Sequence, residues 1–180
     1  MKLPLPLNLD WHTLFSNETN AFVCINGETK ELGLKNGNTF YGCGFFMSDL
    51  SDGWHHIAVV GKDNEQHFYV NGEFKGTSVF QIIGDINAIG NIPAGKEYVS
   101  NLDEVRIWTI ERLSVEIRES YNQRLWGMED GLVCYLDFNT PDTTIIDQSG
   151  HNNDATLENT ARLIDAFLPN REFKPGDPPG

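Results

Sequence analysis

Positive charge is scarce in this sequence. Lys and Arg account for 13 residues and Asp and Glu for 26, so the formal net charge of the 180 residues is −13. Binding to nucleic acid or to an anionic membrane surface needs a basic footprint, because contact with the phosphates releases their counterions. The charge balance therefore argues against nucleic acid as a partner. An acidic surface keeps a protein soluble, and it is also compatible with divalent cations.

Long hydrophobic runs are absent as well. No apolar stretch approaches the roughly 20 residues needed to cross a bilayer, so we expect no membrane insertion. Pro4 and Pro6 interrupt the opening segment, which has no apolar core of the kind found in secretory signals. The opening residues therefore do not predict a signal peptide.

Cysteine is rare, with three residues in the chain, so at least one thiol is unpaired. Cys24 and Cys43 lie on strand-like segments and could be neighbours in a meander. Cys134 lies in the apolar run LVCYL and resembles a buried thiol. The pattern favours three free structural thiols, with a Cys24–Cys43 bridge as the alternative, and does not reveal the compartment.

Turn residues, in contrast, are plentiful, with 17 Gly and 8 Pro. They separate short alternating segments that predict strands. Asn26-Gly27 and Asn71-Gly72 are favoured hairpin dipeptides, because a type I′ turn needs positive φ at both central residues. The predicted strands are 11–15, 21–26, 29–34, 39–46, 54–61, 66–70, 73–75, 78–83, 88–90, 101–108, 131–138, 144–147, 155–157 and 162–166.

One segment has a helical pattern instead. Residues 114–125 place Val115 or Ile117, Tyr121 and Leu125 at helical spacing, with Ser114 as the N-cap and Gly127 as the C′ glycine. Strands, one helix and further strands predict an all-β fold, an antiparallel β-sandwich. We assign residues 1–170 to this single domain and the Pro- and Gly-rich residues 171–180 to a linker or disordered tail.

Several segments between residues 52 and 153 resemble one known family in order and spacing. They are Asp52–Val60 (DGWHHIAVV), Phe68–Gly72 (FYVNG), Tyr98–Trp108 (YVSNLDEVRIW), Leu113–Ile117 (LSVEI), Gly131–Phe138 (GLVCYLDF) and Asp147–Asn153 (DQSGHNN). Together they are similar to the motifs of laminin-G-like, pentraxin-related jelly rolls of the concanavalin-A-like lectin and glucanase type. The resemblance implies a non-catalytic recognition module that binds carbohydrate or a protein surface, within a larger secreted or cell-surface protein.

The resemblance departs from the family at the front of the chain, where two opening strands of the family would precede Lys2. A sheet without them would expose unpaired backbone groups that invite strand addition. We therefore expect a homo-oligomer or a partner chain that completes the sheet. This gives the alternative function, a structural or assembly domain that acts through its incomplete sheet edge.

Catalytic patterns are missing. Glycosidases of the same fold present two carboxylates on one strand as E-x-D-x-x-E, and this string is absent. The adjacent pairs Asp103-Glu104 and Glu129-Asp130 would point to opposite faces of a strand. There is no G-x-S-x-G elbow and no Cys-His set with zinc spacing. We therefore predict that the chain is not an enzyme, with a glycoside hydrolase as the less favoured reading.

Calcium is the favoured metal. Asp103 matches the aspartate that, in related concanavalin-A-like domains, often ligates a structural calcium ion together with residues from the opening strand. Asp147 begins a second oxygen-rich loop, 147–154, and such oxygens suit calcium. The alternatives are that Asp103 accepts backbone hydrogen bonds at a strand corner and that the loop is an Asx turn.

The sequence assigns no ligand surface. A sugar site would use an aromatic platform with polar groups around it. Trp11, Trp54, Trp108 and Trp126 are available, but Trp54 and Trp108 lie in framework motifs, which favours core packing for both. His55 and His56 are neighbours on a predicted strand, a poor geometry for joint metal binding.

Overall fold

The computed structural model describes residues 1–5, 11–17, 21–90, 100–139, 143–158 and 161–164. The chain divides into two compact units, Met1–Asn101 and Leu102–Gly180. Within the described residues, the regular structure of both units is mainly antiparallel strands, and the second contains one short α-helix. The predicted fold class, an all-β antiparallel sandwich with one short helix, is confirmed. The single domain over 1–170 stays a prediction, and the tail at 171–180 lies outside the described residues.

Ten strands form in the described part of the first unit. They are β1 (Lys2–Leu3), β2 (His12–Asn17), β3 (Ala21–Ile25), β4 (Glu31–Asn36), β5 (Thr39–Phe46), β6 (Gly53–Trp54), β7 (Ile57–Lys62), β8 (Glu65–Val70), β9 (Glu73–Ser78) and β10 (Ile86–Ile89). An antiparallel five-stranded sheet has the order β10-β2-β3-β4-β5, and a three-stranded sheet has the order β7-β8-β9. Strand β1 pairs with β6.

Side-chain alternation gives the five-stranded sheet two different faces. Across β3 and β4, Val23 pairs with Leu34 and Ile25 with Leu32, and all four side chains are buried. Paired residues point to the same side of a sheet. Burying one such aliphatic side chain stabilises a fold by about 1.5–3 kcal/mol. We call this side the core face and the opposite side the platform face.

The three-stranded sheet lies directly beside β5. Gly76 of β9 approaches the carbonyl oxygen of Cys43 in β5 so closely that a Cβ atom would overlap that oxygen. Only glycine allows this approach of two backbones. In the central strand β8, Phe68 and Val70 are fully buried.

The hairpin between β8 and β9 has the predicted turn. Asn71 and Gly72 have φ values of 52° and 80°, so both central residues are left-handed. A two-residue type I′ turn needs this geometry, because its twist matches that of the flanking strands. The prediction from the Asn-Gly dipeptide is confirmed here.

The hairpin between β3 and β4 turns differently. The Asn26 Oδ1 accepts hydrogen bonds from the backbone N–H groups of Glu28 (2.9 Å) and Thr29 (3.1 Å). The left-handed residue is Lys30, with φ 61°. The hairpin was predicted correctly but its two-residue turn was wrong, because the Asn26 side chain builds an Asx turn instead.

The second unit is smaller in regular structure. Its described elements are β11 (Val105–Trp108), α1 (Ser114–Ser120), β12 (Leu132–Leu136), β13 (Thr144–Ile145) and β14 (Ala155–Thr156). Strand β11 pairs with β12 and β13 with β14, both antiparallel. Leu125, Leu132 and Tyr135 form a buried cluster, and Trp108 packs against it. Among the described residues, no helix is long and apolar enough to span a membrane.

Helix α1 is shorter than predicted. It ends at Ser120, and Leu113, not Ser114, occupies the N-cap position. The Glu116 carboxylate accepts a hydrogen bond from the Leu113 N–H at 2.7 Å. The guanidinium of Arg106, on β11, donates to the carbonyl oxygens of Ser120 and Gln123. These carbonyls are thus satisfied from a neighbouring strand where the helix ends, and the predicted extension to residue 125 was wrong.

Several predicted strands are also shorter than expected or missing. Ser78 ends β9, and residues 79–83 are irregular, since Gln66 and Asn17 side chains bond the Ile82 N–H and the Ile83 carbonyl. Residues 101–104 are not a strand, and Glu104 has a left-handed φ of 54°. Residues 161–164 are irregular, while 165 and 166 lie outside the described residues.

The three cysteines are free and buried, as predicted. Cys24 pairs with Gly33, which pairs with Gly42, so these three residues share the platform face. Cys43 follows Gly42 and therefore points to the other face. Cys24 and Cys43 are not neighbours, and the alternative of a bridge between them was wrong.

Candidate functional site

A row of small residues crosses the platform face. Thr13, Cys24, Gly33 and Gly42 are successive register partners on β2, β3, β4 and β5. The two glycines leave space above the sheet. The Phe40 ring fills the space over Gly33, where a Cβ atom would lie 2.7 Å from the ring. Large side chains of the neighbouring rows can therefore lie flat on the sheet.

The next row along the strands is larger and partly aromatic. Ser16, Phe22, Lys35 and Phe40 are successive register partners on β2 to β5. The side chains of Phe22, Lys35 and Phe40 are partly exposed. On the core face of the same strands, side chains such as Val23 and Leu34 are buried. The row therefore presents aromatic surface to solvent.

Trp11 joins this surface from the residue before β2. Its ring centre lies 5.2 Å from that of Phe40, with the two ring planes inclined by 59°. Trp11 is also partly exposed. The contact bridges from β2 to β5, above the row of small residues. We call Trp11, Phe22 and Phe40 together the aromatic platform.

Lys35 lies between the rings of the aromatic platform. Its Nζ is 4.8 Å from the centre of the Trp11 ring and 5.7 Å from the centre of the Phe22 ring. Both distances are within the range of cation–π attraction. The rings therefore hold the ammonium group at the surface of the platform.

Strands β2 to β5 contain one acidic residue, Glu31, and one Lys or Arg, Lys35. Glu31 lies across Gly42, and its Oε1 accepts a hydrogen bond from the Gly44 N–H at 2.8 Å. Four residues along a strand separate Glu31 from Lys35, a backbone distance of about 13 Å. The two charges thus mark different ends of the platform face.

This arrangement can bind a molecule that has both apolar and polar surface. A sugar ring has an apolar face of C–H groups that stacks on aromatic rings, and a rim of hydroxyls that hydrogen-bonds polar neighbours. The aromatic platform offers the first, and Lys35 offers charged N–H donors. Binding of this kind does not require a catalytic group.

The predicted metal ligand Asp147 has another role in this structure. Its Oδ1 accepts hydrogen bonds from the N–H groups of Tyr135 (2.8 Å) and Ser149 (2.9 Å). Its Oδ2 accepts from the Ser149 hydroxyl (2.8 Å) and the Asn153 N–H (3.0 Å). Four donors around one buried carboxylate match the Asx-turn alternative and favour it over a calcium ligand. Calcium at Asp147 stays a prediction.

The pKa of Asp147 reflects these contacts. Burial acts to raise it, but the hydrogen bonds from Tyr135, Ser149 and Asn153 outweigh burial and hold the pKa below its ordinary value of 3.8. Hydrogen bonds to the ionised form favour that form. The Asp147 carboxylate therefore fastens the 147–153 loop to β12.

The predicted metal ligand Asp103 accepts a hydrogen bond from the Glu104 N–H at 2.8 Å. Among the described residues, no three His, Cys, Asp or Glu side chains come together in a way that could hold a metal ion. A calcium ion at Asp103 would need its other oxygens from backbone carbonyls, amides or water. Calcium at Asp103 stays a prediction.

The remaining candidates from the sequence serve packing. Trp108 packs against the buried cluster of the second unit, as predicted. His55 and His56 lie between β6 and β7 and not on a strand. The His55 ring bonds the Ser51 carbonyl and the Asn71 amide, and this ties it to the neighbouring turn. None of these three residues belongs to the platform face.

Sequence reasoning missed three residues of this surface, namely Phe22, Lys35 and Phe40. The signal was present, because Phe22 alternates with the apolar Ala21 and Val23 and therefore points away from the core. Lys35 likewise follows the alternating buried residues Leu32 and Leu34 on the opposite face of β4. What the pattern could not show is that the three residues are register partners.

Comparison with known proteins agrees with the fold. A crystal structure of a proposed carbohydrate-binding protein from Bacteroides ovatus matches with a TM-score of 0.66 and 22% sequence identity, covering 88% of this chain and 51% of that one. The chain thus spans about half the length of that protein. No curated protein matched. The model of the concanavalin A-like lectin/glucanases superfamily, of the laminin G type, matches residues 8–118, more than half of the 180. The chain therefore belongs to the concanavalin A-like lectin/glucanases superfamily.

Proposed function

We propose that this chain is a non-catalytic carbohydrate-binding module and that the aromatic platform is its binding surface. The observation that carries the proposal is the contact of Trp11 with Phe40 across the small-residue row, which leaves partly exposed rings lying on a sheet face. The superfamily contains lectins, and the Bacteroides ovatus protein is proposed to bind carbohydrate. Both support this reading.

The geometry of the platform favours a sugar over a flat apolar partner. The rings of Trp11 and Phe40 are inclined and do not form one plane, so they follow a curved chain of sugar rings better than a flat surface. Side chains at the rim, such as Lys35, add directional hydrogen bonds. Binding through a preformed sheet face also needs little ordering of the protein.

The absence of a carboxylate pair on β2 to β5 supports a non-catalytic role. Glycoside hydrolysis uses two carboxylates, about 5 Å apart in retaining enzymes and about 6.5–9.5 Å apart in inverting ones. Within these four described strands Glu31 is the one acidic residue, and it already bonds Gly44. A glucanase remains the alternative, since the superfamily includes such enzymes.

Further parts of the proposal concern context. We propose that the module acts within a longer, secreted or cell-surface protein, on the basis of the family alone. A second candidate function, assembly through an incomplete sheet edge, stays a prediction. Light scattering tests it, because a monomer at all accessible concentrations would contradict it.

The aromatic platform is tested by titrating neutral polysaccharides, such as β-glucan, xylan and galactomannan, into the protein in affinity electrophoresis and calorimetry. We expect Trp11→Ala to weaken binding about tenfold or more, since tenfold equals about 1.4 kcal/mol of lost stacking. Phe74→Ala is the matched control, because Phe74 is an exposed aromatic residue on the three-stranded sheet. Wild-type affinity in Trp11→Ala, or no binding of any polysaccharide, would overturn the proposal.

Enzymatic activity is tested in the same samples. Reducing-end release from laminarin-type glucans should stay at the level of the buffer. Turnover that disappears in Glu31→Gln would show a glucanase and contradict the non-catalytic role.

A further inference from the structure

Lys35 has no carboxylate partner among the described residues. Its ammonium group contacts the rings of Trp11 and Phe22. Some cationic side chains are paired with carboxylates, for example Lys75 with Glu73 at 2.8 Å and Arg106 with Glu104 at 2.9 Å. Lys35 instead has only ring contacts within the described part of a protein with a net charge of −13.

Glu31 does not supply the missing partner. It lies about 13 Å further along β4, folded across Gly42 and bonded to the Gly44 N–H. Ring contacts of an exposed cation contribute only about 0.5–1 kcal/mol. An ammonium group has three N–H donors, and aromatic rings accept them only weakly, so Lys35 can donate to an acceptor on a bound molecule.

We propose that the aromatic platform binds a saccharide that carries an anionic group, the carboxylate of a uronic acid or a sulfate ester, with Lys35 as its counter-ion. This inference rests on the proposed function and names its ligand class. The sugar ring stacks on the exposed surface of Trp11 and Phe40, and the anionic group reaches Lys35 between the Trp11 and Phe22 rings. A charge-assisted hydrogen bond is about twice as strong as a neutral one.

The surrounding negative charge sharpens this selectivity. At long range a protein of net charge −13 repels an acidic polysaccharide. Attraction must therefore come from close contact with a local cation, and binding must depend on the stacked geometry. A polyanion held merely by diffuse positive charge would not need Trp11.

The experiment compares matched pairs of ligands on the intact chain. One pair is oligogalacturonate and its methyl ester, and the other is a sulfated galactan and its desulfated form. We expect the protein to prefer an anionic member over its neutral form by about tenfold, the worth of one added charge-assisted contact. The pair that shows the preference identifies carboxylate or sulfate as the recognised group.

Three variants test whether the preference for the anionic ligand depends on the charge of Lys35. Lys35→Met, which keeps an unbranched side chain without the charge, should abolish the preference, so that the anionic and neutral forms bind with equal affinity. Lys35→Arg should keep the preference. Lys75→Met is the control, because Lys75 also lies over a ring, that of Phe45, but is paired with Glu73. Circular dichroism of each variant establishes that it is folded.

The outcomes separate this inference from the proposed function. Equal affinity for the charged and neutral forms, or a preference that survives in Lys35→Met, overturns the inference while Trp11-dependent binding keeps the proposed function. If the anionic saccharide binds Trp11→Ala as tightly as the wild type, it does not bind at the aromatic platform, and the inference is overturned. Failure of every ligand to bind overturns both.

Discussion

Glu104 and Arg106 form an ion pair of 2.9 Å in which both side chains are almost fully buried, at 6% and 7% exposure. The same guanidinium donates to the carbonyl oxygens of Ser120 and Gln123, and the Tyr135 hydroxyl donates to the Glu104 carboxylate at 2.9 Å. Burial, followed by the charge of Glu104, raises the pKa of Tyr135 to about 12, so this hydroxyl stays protonated as a donor. The pair thus joins β11, the end of α1 and β12.

Removing one partner of this pair should be costly. Glu104→Gln leaves the Arg106 charge buried without its counter-charge, and we expect a loss of about 3–5 kcal/mol in the free energy of unfolding. Urea denaturation measures it. Glu119→Gln, at an exposed position of α1, is the control and should change stability by less than about 0.5 kcal/mol. A Glu104→Gln variant as stable as the control would contradict the role of the pair.

The Asp147 carboxylate should stabilise the fold in a pH-dependent manner. Its folded pKa is lowered below 3.8, so its contribution is complete above the unfolded pKa and is lost as the pH falls through the folded pKa. At neutral pH we expect Asp147→Asn to cost about 1–3 kcal/mol.

Unfolding at a series of pH values checks the sign of this effect. The gap between wild type and Asp147→Asn should stay constant from about pH 7 to pH 5 and shrink below about pH 4. Asp130→Asn, at an exposed position, should show no such gap. A gap that does not vary with pH would mean that Asp147 acts by packing alone.

The three thiols should be inert in the folded protein. Burial is the main cause that raises the pKa of Cys134 to about 11, followed by the charges of Asp147 and Asp154. Burial also raises the pKa of Cys43. The thiolate is the reactive form, so at about pH 8 we expect very slow reaction with a thiol reagent in native protein and reaction of all three cysteines in denaturant. Rapid native labelling would contradict this burial, and one reactive thiol in denaturant would reveal a disulfide.

Calcium, predicted from the family resemblance at Asp103, is testable by chelation. If calcium binds there, EDTA should lower the thermal midpoint of the wild type and leave Asp103→Asn unaffected. Asp147→Asn should keep the calcium response, because the Asp147 oxygens already accept four hydrogen bonds. An unchanged thermal midpoint of the wild type on chelation would contradict calcium binding at Asp103.

The contacts of Asp147 show why the sequence alone does not distinguish a calcium ligand from an Asx turn. An Asp followed by Ser, Asn and Asp is the pattern of a calcium loop and also of an Asx turn. The two differ in whether N–H groups or a cation face the carboxylate. In this chain one of those N–H groups belongs to Tyr135, twelve residues earlier, and its approach depends on the fold.

Local features were determined by the sequence itself. The alternation of Val23 and Ile25 with outward-pointing residues and the left-handed Asn71-Gly72 turn depend on a period of two and on local backbone sterics. These interactions span a few residues, so they hold before any long-range contact forms. The motifs that resemble those of the laminin-G-like family also predicted the fold class.

Tertiary structure alone decided the rest. Helix α1 ends at Ser120, where Arg106, on a strand, donates a hydrogen bond to the Ser120 carbonyl oxygen. Phe22, Lys35 and Phe40 become neighbours only through the register of three strands. A one-residue slip would move these side chains to the other face. That register depends on the burial of the whole core face, which no single segment of the sequence contains.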